Sequence, residues 1–264
     1  MDWKREIEVL TPLFNRGAYQ DTPEIRVPSI RGMVRWWFRG LGGTPDEEKA
    51  AFGGMVGFGG KLKKVVMASQ VVFRVSNIVA HRANPDPLTL PHKQGAQGSP
   101  QAAYAPGATF VLEVFTRFGS LGSPLEMKVN NALEVWLLLG ALGLRANRSG
   151  GNVWPANGAA PATPSALRTR LNELGCRWPV MLVGEQAGTT LEQLRAAATD
   201  TVDGMPDVFG QARGGRIASK VKFKVVRLDG QLRLIVFAHE QNVLNAAREA
   251  LKGHRSKPET WQML

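Results

Sequence analysis

Three arginines recur at every fourth position along one segment of this chain. In a helix, Arg31, Arg35 and Arg39 would stand about 6 Å apart along the axis, close to the spacing of successive phosphates on a nucleic-acid strand. No acidic residue lies between Glu24 and Asp46, so nothing inside the helix neutralises these charges. Unpaired guanidinium groups in this pattern are typical of a surface that holds a phosphate backbone. The alternative is a solvated arginine face that only keeps the helix soluble.

The element that carries these arginines is predicted to be a helix with one apolar face. Pro28 is expected to precede the helix, and Ser29 to be its N-cap. Apolar residues follow at helical spacing, namely Ile30, Met33, Val34, Trp37, Phe38 and Leu41. Trp37 and Phe38 are therefore expected in the core.

Further basic and aromatic residues are candidates for the same ligand. A glycine-rich loop lets backbone N–H groups and guanidinium groups approach a phosphate without obstruction, and residues 143–151 form such a segment. The additional candidates for phosphate contact are Arg26, Arg145 and Arg148, followed by Lys61, Lys63, Lys64, Arg213 and Arg216. The candidates for stacking on unpaired bases are Tyr19, Trp36 and Phe58.

The overall charge points to an anionic partner. The chain has 264 residues, with 33 Lys and Arg against 22 Asp and Glu, a net charge of +11 and a pI of about 10.2. Basic residues occur in several separate stretches, which fits a long anionic ligand better than a small one. General solubility charge is the alternative interpretation.

Several classes of site and location are not expected from this sequence. Its one cysteine, Cys176, excludes an intramolecular disulfide and a cysteine-cluster zinc site, and no motif indicates a metal or cofactor. The longest apolar run, 135–144, is far shorter than the ~20 residues that span a bilayer, and the first residues do not resemble a signal peptide. A cytoplasmic protein with no membrane partner is predicted.

The order of predicted elements indicates an α+β fold with antiparallel sheets, arranged as two ferredoxin-like units. Phe52-Gly53 and Phe209-Gly210 are each followed by Gly-Gly, a basic residue and a β-type run, which suggests two similar halves. The expected division is a first unit over 1–150 with an inserted arm at 79–108, a linker over 151–165, and a second unit over 166–264. The interval 47–52 is expected to finish the arginine helix, and Ser165 to cap a helix that starts the second unit.

Two segments resemble a known family. These are residues 11–39, with Thr-Pro-Leu-Phe followed by Ser-Ile-Arg-Gly-Met-Val-Arg-Trp-Trp, and the glycine-rich segment 138–151. They are similar to the RAMP superfamily, the repeat-associated subunits of CRISPR effector complexes, and most of all to the first subunit of the type III-B Cmr RNA-targeting complexes. The resemblance implies two RRM-like ferredoxin folds, binding of guide RNA and target RNA, and assembly with sibling subunits.

The function expected from this resemblance is a non-catalytic RNA-binding subunit that caps the guide-RNA filament in antiviral defence. Two alternatives remain. Some RAMP subunits cut RNA with an aspartate in the loop after the first strand, a position that Asp21 matches. The chain could also be a purely structural subunit whose basic faces meet acidic siblings. His81, His92, His239 and His254 show no spacing that pairs them, and those in the arm are expected to face solvent.

Overall fold

In the computed structural model, residues 1–19, 21–56, 65–184, 189–211, 215–254 and 258–264 are described. They form two four-stranded antiparallel sheets and a separate hairpin. The elements of the first unit are β1 (Asp2–Val9), α1 (Val27–Gly40), α2 (Pro45–Phe52), β2 (Gly54–Val56), β3 (Val65–Met67), β4 (Val71–Val79), β5 (Thr109–Thr116), α3 (Ser123–Leu139) and β6 (Val153–Pro155). Those of the second unit are α4 (Pro164–Glu173), β7 (Val180–Val183), α5 (Leu191–Thr199), α6 (Pro206–Phe209), β8 (Lys222–Leu228), β9 (Gln231–Phe237), α7 (Gln241–Leu251) and β10 (Trp261–Met263).

Helices α1 and α3 lie between the two sheets. The first sheet has the order β4-β5-β1-β6 and the second the order β10-β7-β9-β8, and one core cluster contains side chains from both sheets and both helices. The opposite face of the second sheet packs on α5, α6 and α7. The predicted α+β class with two antiparallel sheets is confirmed. None of the helices described is long and apolar enough to cross a membrane.

The apolar face of α1 is confirmed, and Trp37 is its largest member. The exposed fraction of Trp37 is 1%, and its ring lies 5.0 Å from that of Trp178 and 6.1 Å from that of Phe237 in β9. Trp178 also donates a hydrogen bond from Nε1 to the carbonyl oxygen of Gly40 (3.2 Å). The arginine helix is thereby fixed to the second unit through aromatic packing.

Both ends of the arginine helix differ from the prediction. It begins at Val27 with Arg26 as its N-cap, because proline is tolerated in the first turn, where the missing N–H would have no helical partner. The Ser29 hydroxyl instead donates to Asn15 Oδ1 (3.1 Å). The interval expected to finish this helix is a separate one, α2, which starts from a capping box at Thr44.

The glycine- and proline-rich segment 151–165, predicted to be a linker, contains a short strand and the start of a helix. Residues 153–155 form β6, which pairs antiparallel with β1 at the edge of the first sheet. Helix α4 then begins at Pro164, and its N-cap is Thr163, not Ser165, because the Thr163 hydroxyl accepts the Ala166 N–H (3.1 Å). A strand of three residues gives too short a pattern to be recognised beside so many turn-forming residues.

The two Phe-Gly turns of the predicted repeat are alike in the structure, whereas Gly59, Gly60, Lys61 and Gly214 of its Gly-Gly-basic steps lie outside the described residues. Gly53 (φ 70°) follows α2 and Gly210 (φ 74°) follows α6, and a Cβ at either would lie 2.5–2.6 Å from a backbone oxygen, that of Met67 or of Ile217. Only glycine therefore fits these turns. Two residues after Met67 and after Ile217, a serine hydroxyl donates to the carbonyl oxygen two residues on, with Oγ–O distances of 2.7 and 2.6 Å.

The arm at 79–108 is mostly irregular, as predicted, with a short 3-10 turn at Gly95–Gly98. It contacts the second unit through α5. Arg195 NH2 donates to the carbonyl oxygen of Leu88 (2.6 Å), and His92 Nδ1 lies 2.9 Å from Thr199 Oγ1. The expectation that His92 faces solvent is therefore wrong, because α5 covers this part of the arm.

Lys224 is a buried lysine at the junction of the two units. Its exposed fraction is 1%, and its Nζ donates to the carbonyl oxygens of Leu137 and Val153, each at 2.7 Å. Leu137 lies in the last turn of α3, where carbonyls have no helical partner. Burial holds the pKa of Lys224 well below its ordinary value.

Replacing Lys224 with methionine is expected to lower the free energy of unfolding by about 2 kcal/mol. The change leaves two buried carbonyls without a donor, and this loss outweighs the gain from no longer burying an amine. Urea unfolding of Lys224→Met beside Lys220→Met, an exposed change just before the same strand, measures the effect. Equal midpoints for the two variants would contradict the role given to Lys224.

Candidate nucleic-acid interface

The arginine stripe of α1 is partly neutralised by the neighbouring helix. Glu48 of α2 accepts hydrogen bonds through one oxygen, Oε1, from Arg35 Nε (2.7 Å) and from Arg39 NH1 (2.6 Å). The expectation that these arginines are unpaired is wrong, because the partner comes from the next helix and not from α1. One carboxylate shared by two guanidinium groups leaves excess positive charge, and the Arg35 and Arg39 side chains are 36% and 49% exposed.

Arg31 lies beside the first Phe-Gly turn. Its NH2 donates to the carbonyl oxygen of Phe52, and its buried Nε has no hydrogen-bond partner within the described residues. Burial, and to a lesser degree the charge of Arg35, lowers the pKa of Arg31. Arg31 therefore links the arginine stripe to the base of the hairpin β2–β3.

A second basic group lies where the two units meet. We call Arg145, Arg148 and Lys222 the junction cluster. The loop that follows α3 is tied to the start of β8 by two backbone hydrogen bonds, from the Ser149 N–H to the Phe223 carbonyl (3.2 Å) and from the Phe223 N–H to the Asn147 carbonyl (3.1 Å). This pairing brings the two loop arginines next to the lysine of the strand.

Arg148 has the same relation to the second Phe-Gly turn that Arg31 has to the first. Its NH2 donates to the carbonyl oxygen of Phe209 (2.8 Å), and its guanidinium lies over the rings of Phe209 and Phe223, with centroid distances of 5.7 and 5.4 Å. Its NH1 is buried without a hydrogen-bond partner in the part of the chain that the structure describes. Burial, and then the charge of Arg145, lowers the pKa of Arg148 to about 10.

Lys222 joins this cluster to the arginine helix. Its Nζ donates to Asn147 Oδ1 (2.7 Å) and lies 4.6 Å from the ring centroid of Trp36 in α1. Burial, and then the charge of Arg148, lowers the pKa of Lys222 to about 8. Trp36 thus supports a lysine on one face of its ring through a cation–π contact.

The junction cluster is a group of cations that has no acidic partner in the part of the chain that the structure describes. Among the described residues, no ion pair joins any of its three members to a carboxylate. Like charges held together disfavour one another, and this repulsion adds to burial, the larger cause, in lowering the pKa values of Arg148 and Lys222. A bound anion such as a phosphate would relieve this repulsion.

The other candidates are scattered. Arg26 is tied back by a hydrogen bond from NH1 to the Arg16 carbonyl (3.1 Å) and an ion pair with Glu24 (3.5 Å). Tyr19 and Arg216 are exposed, and Asp21 is an exposed turn residue that accepts from the Thr22 hydroxyl (3.2 Å). The candidates Phe58, Lys61, Lys63, Lys64 and Arg213 lie outside the described residues.

Sequence reasoning missed Lys222. The alternation of Lys220, Lys222 and Lys224 showed that these residues share one side of a strand, but not that this side faces the first unit. Within the described ranges, no three His, Cys, Asp or Glu residues lie close enough together to hold a metal ion.

The curated proteins to which this chain is similar are subunits of CRISPR Cmr systems. The chain is 50% identical over 38 residues to the CRISPR system Cmr subunit Cmr1-2 of Pyrococcus furiosus, a match that covers 14% of this chain and 20% of that protein. It is 30% identical over 173 residues to the subunit Cmr1-1 of the same organism, covering 56% of this chain and 43% of that protein. The matched regions thus span less than half the length of these curated relatives.

Solved structures share the fold. The crystal structure of Cmr1 from Pyrococcus furiosus in its apo form superposes with a TM-score of 0.56 at 18% identity, covering 91% of this chain and 89% of that one. A chain in a cryo-EM structure of the type III-B Cmr-beta complex, bound to cognate target RNA and AMPPnP, gives 0.52 at 12% identity and covers 89% and 93%.

The family itself follows from the sequence match. The model of the RAMP superfamily matches residues 6–154, which is more than half of the chain and includes α1, α3 and the loop that carries Arg145 and Arg148. The two antiparallel sheets are those expected of two ferredoxin-like units. This chain therefore belongs to the RAMP superfamily.

Proposed function

We propose that this chain is an RNA-binding subunit of a type III-B, Cmr-type CRISPR effector complex. The observation that carries the proposal is the junction cluster, where three cations meet with no carboxylate to pair them among the described residues. The similarity of the chain to Cmr subunits supports this role over other nucleic-acid-binding roles.

The arrangement suits an extended anionic strand better than a small anion. Lys222 of the junction cluster lies against Trp36, and the partly exposed Arg35 and Arg39 of α1 lie on the next face of the same helix. A single-stranded RNA places a phosphate at each nucleotide, so one strand is able to use both groups in succession. Contacts to phosphate hold RNA of any sequence.

In the complex, we propose that the chain caps one end of the guide-RNA filament, contacts guide or target RNA, and docks on sibling subunits in the cytoplasm. Its role is to bind and not to cut. Asp21 is an exposed turn residue, and turn formation accounts for its position.

Reconstitution with sibling subunits and a labelled guide RNA tests this role. Nuclease digestion of the complex with and without this chain is expected to differ by one additional protected segment at an end of the guide. Protection that is internal, or unchanged, would contradict the capping role. Shortening of target RNA that disappears in Asp21→Ala would contradict the binding-only role.

RNA affinity is expected to fall by about five- to tenfold between pH 7 and pH 9. The pKa of Lys222 is lowered to about 8 in the free protein, and a bound phosphate would raise it again, so binding takes up a proton over this range. As pH rises through 8, the lysine loses its charge and binding weakens.

The matched control is Lys222→Arg, which keeps a positive charge at every pH tested. Fluorescence anisotropy with labelled single-stranded RNA, at constant ionic strength, gives both affinities. The variant should vary by less than about twofold over the same range. An equal fall in both proteins would assign the pH dependence to another group.

A further inference from the structure

Gly32 lies inside helix α1, at a position where the fold does not require a glycine. It lies in the middle of α1 and is exposed, and a Cβ added there would have no heavy atom of the described residues within 4 Å. Glycine in a helix interior is less stable than alanine. Glycine at this point therefore lowers the stability of the helix, and no contact among the described residues accounts for it.

Other glycines of this region have internal reasons. A Cβ at Gly40 would lie 3.3 Å from the Trp178 ring, where the helix meets the second unit. Gly53 and Gly210 have positive φ angles, and a Cβ there would clash with backbone atoms. Gly32 has neither a crowded Cβ position nor a left-handed backbone. The space that it leaves is open to the outside.

We call the uncovered surface of α1 at Gly32 the open strip. It lies between the arginine stripe of α1 and the junction cluster. On a helix surface, residues three and four apart are neighbours, so Gly32 adjoins Arg35 on one side and Trp36 on the other. Trp36 supports Lys222 of the junction cluster. On the other side, Arg31 precedes Gly32 in the chain and has a buried Nε without a partner among the described residues.

We propose that the sugar–phosphate backbone of the RNA crosses α1 at Gly32, in contact with the helix main chain, as it passes from the arginine stripe to the junction cluster. This inference rests on the proposed function. The backbone N–H groups of a helix interior are already bonded, so Gly32 contributes by leaving room. The neighbouring cations supply the attraction. Cations on both sides favour a polyanionic strand over an ordinary protein segment.

The test is a pair of substitutions that fill the strip without changing charge. Gly32→Ala is expected to raise the melting temperature by about 1–3 °C and to weaken binding of single-stranded RNA about threefold. Gly32→Gln, with a longer side chain, should weaken binding at least about tenfold. Thr169→Ala is the control, since Thr169 is exposed within α4 and the change also raises helix propensity. It should leave RNA affinity unchanged.

The outcomes distinguish failure of the crossing at Gly32 from failure of the RNA-binding function. If both Gly32 variants bind as the parent does, while loss of Arg148 and Lys222 weakens binding, the crossing is wrong and the RNA-binding function stands. If the parent protein binds no RNA, the function fails and the crossing with it. If RNA binding is unchanged but assembly with sibling subunits is lost, the strip contacts a protein and the crossing is overturned. Gains in stability with losses in affinity support it.

Discussion

Replacing Arg148 and Lys222 together with glutamine is expected to weaken binding of single-stranded RNA by about 100-fold. Hydrogen bonds to charged groups contribute about 1.5–3 kcal/mol each, and a 100-fold change corresponds to about 2.7 kcal/mol. Neither residue has a carboxylate partner within the described chain, so no acidic side chain there competes with an anionic ligand for them.

The control removes the same number of charges where they are already paired. Arg227 makes two hydrogen bonds to Glu8 (2.6 and 2.7 Å), and Lys128 forms an ion pair with Glu47. Arg227→Gln with Lys128→Gln should change RNA affinity by less than about threefold, since general charge alone would be the only loss. Because Arg148 also holds the Phe209 carbonyl, Lys222→Gln alone serves as a milder variant.

Equal losses in the two double variants would mean that binding depends on net charge and not on the junction cluster. A junction variant that stays folded, by melting temperature, and binds within about threefold of the parent would contradict the site. The affinities are measured by fluorescence anisotropy at one salt concentration, because salt changes all of them together.

Trp37→Ala is expected to lower the free energy of unfolding by about 3–5 kcal/mol. Trp37 is 1% exposed and packs against Trp178 and Phe237, so truncation opens a cavity between the units. A chain of this size should then melt about 10 °C lower. Thermal unfolding followed by circular dichroism measures the change.

Trp37→Phe is the control for this position, because it keeps an aromatic ring and much of the volume. It should recover more than half of the lost stability. Arg35→Ala, on the opposite side of the same helix, should cost about 1–2 kcal/mol, since the buried Glu48 keeps its hydrogen bond from Arg39. A Trp37→Ala protein that melts within about 2 °C of the parent would contradict the packing described for α1.

The sequence was most informative where the pattern is local. The apolar face of α1 follows from helical spacing, and burial of Ile30, Val34, Trp37 and Phe38 confirms it. The Phe-Gly repeat was also visible, because only glycine fits a left-handed turn against a returning strand. The start of α1 was misplaced since Pro28 suits the first turn of a helix as well as the residue before it.

The features that were missed depend on contacts between distant residues. Glu48 reaches Arg35 and Arg39 only because α2 folds back on α1. The sequence pattern predicts one continuous helix here, whereas four residues separate α1 from α2. Likewise, β6 exists by pairing with β1. Lys222 belongs to the site because β8 is hydrogen-bonded to the loop after α3. The local sequence pattern does not predict this contact.

The measurement to make first is the affinity of the purified protein for a labelled single-stranded RNA at several salt concentrations. Each phosphate neutralised on a single strand adds about −0.7 to the slope of log affinity against log salt. The three junction cations and the partly exposed Arg35 and Arg39 of α1 together predict a slope of about −3.5. No binding at about 50 mM salt, or binding that salt does not weaken, would contradict an RNA-binding surface on this chain.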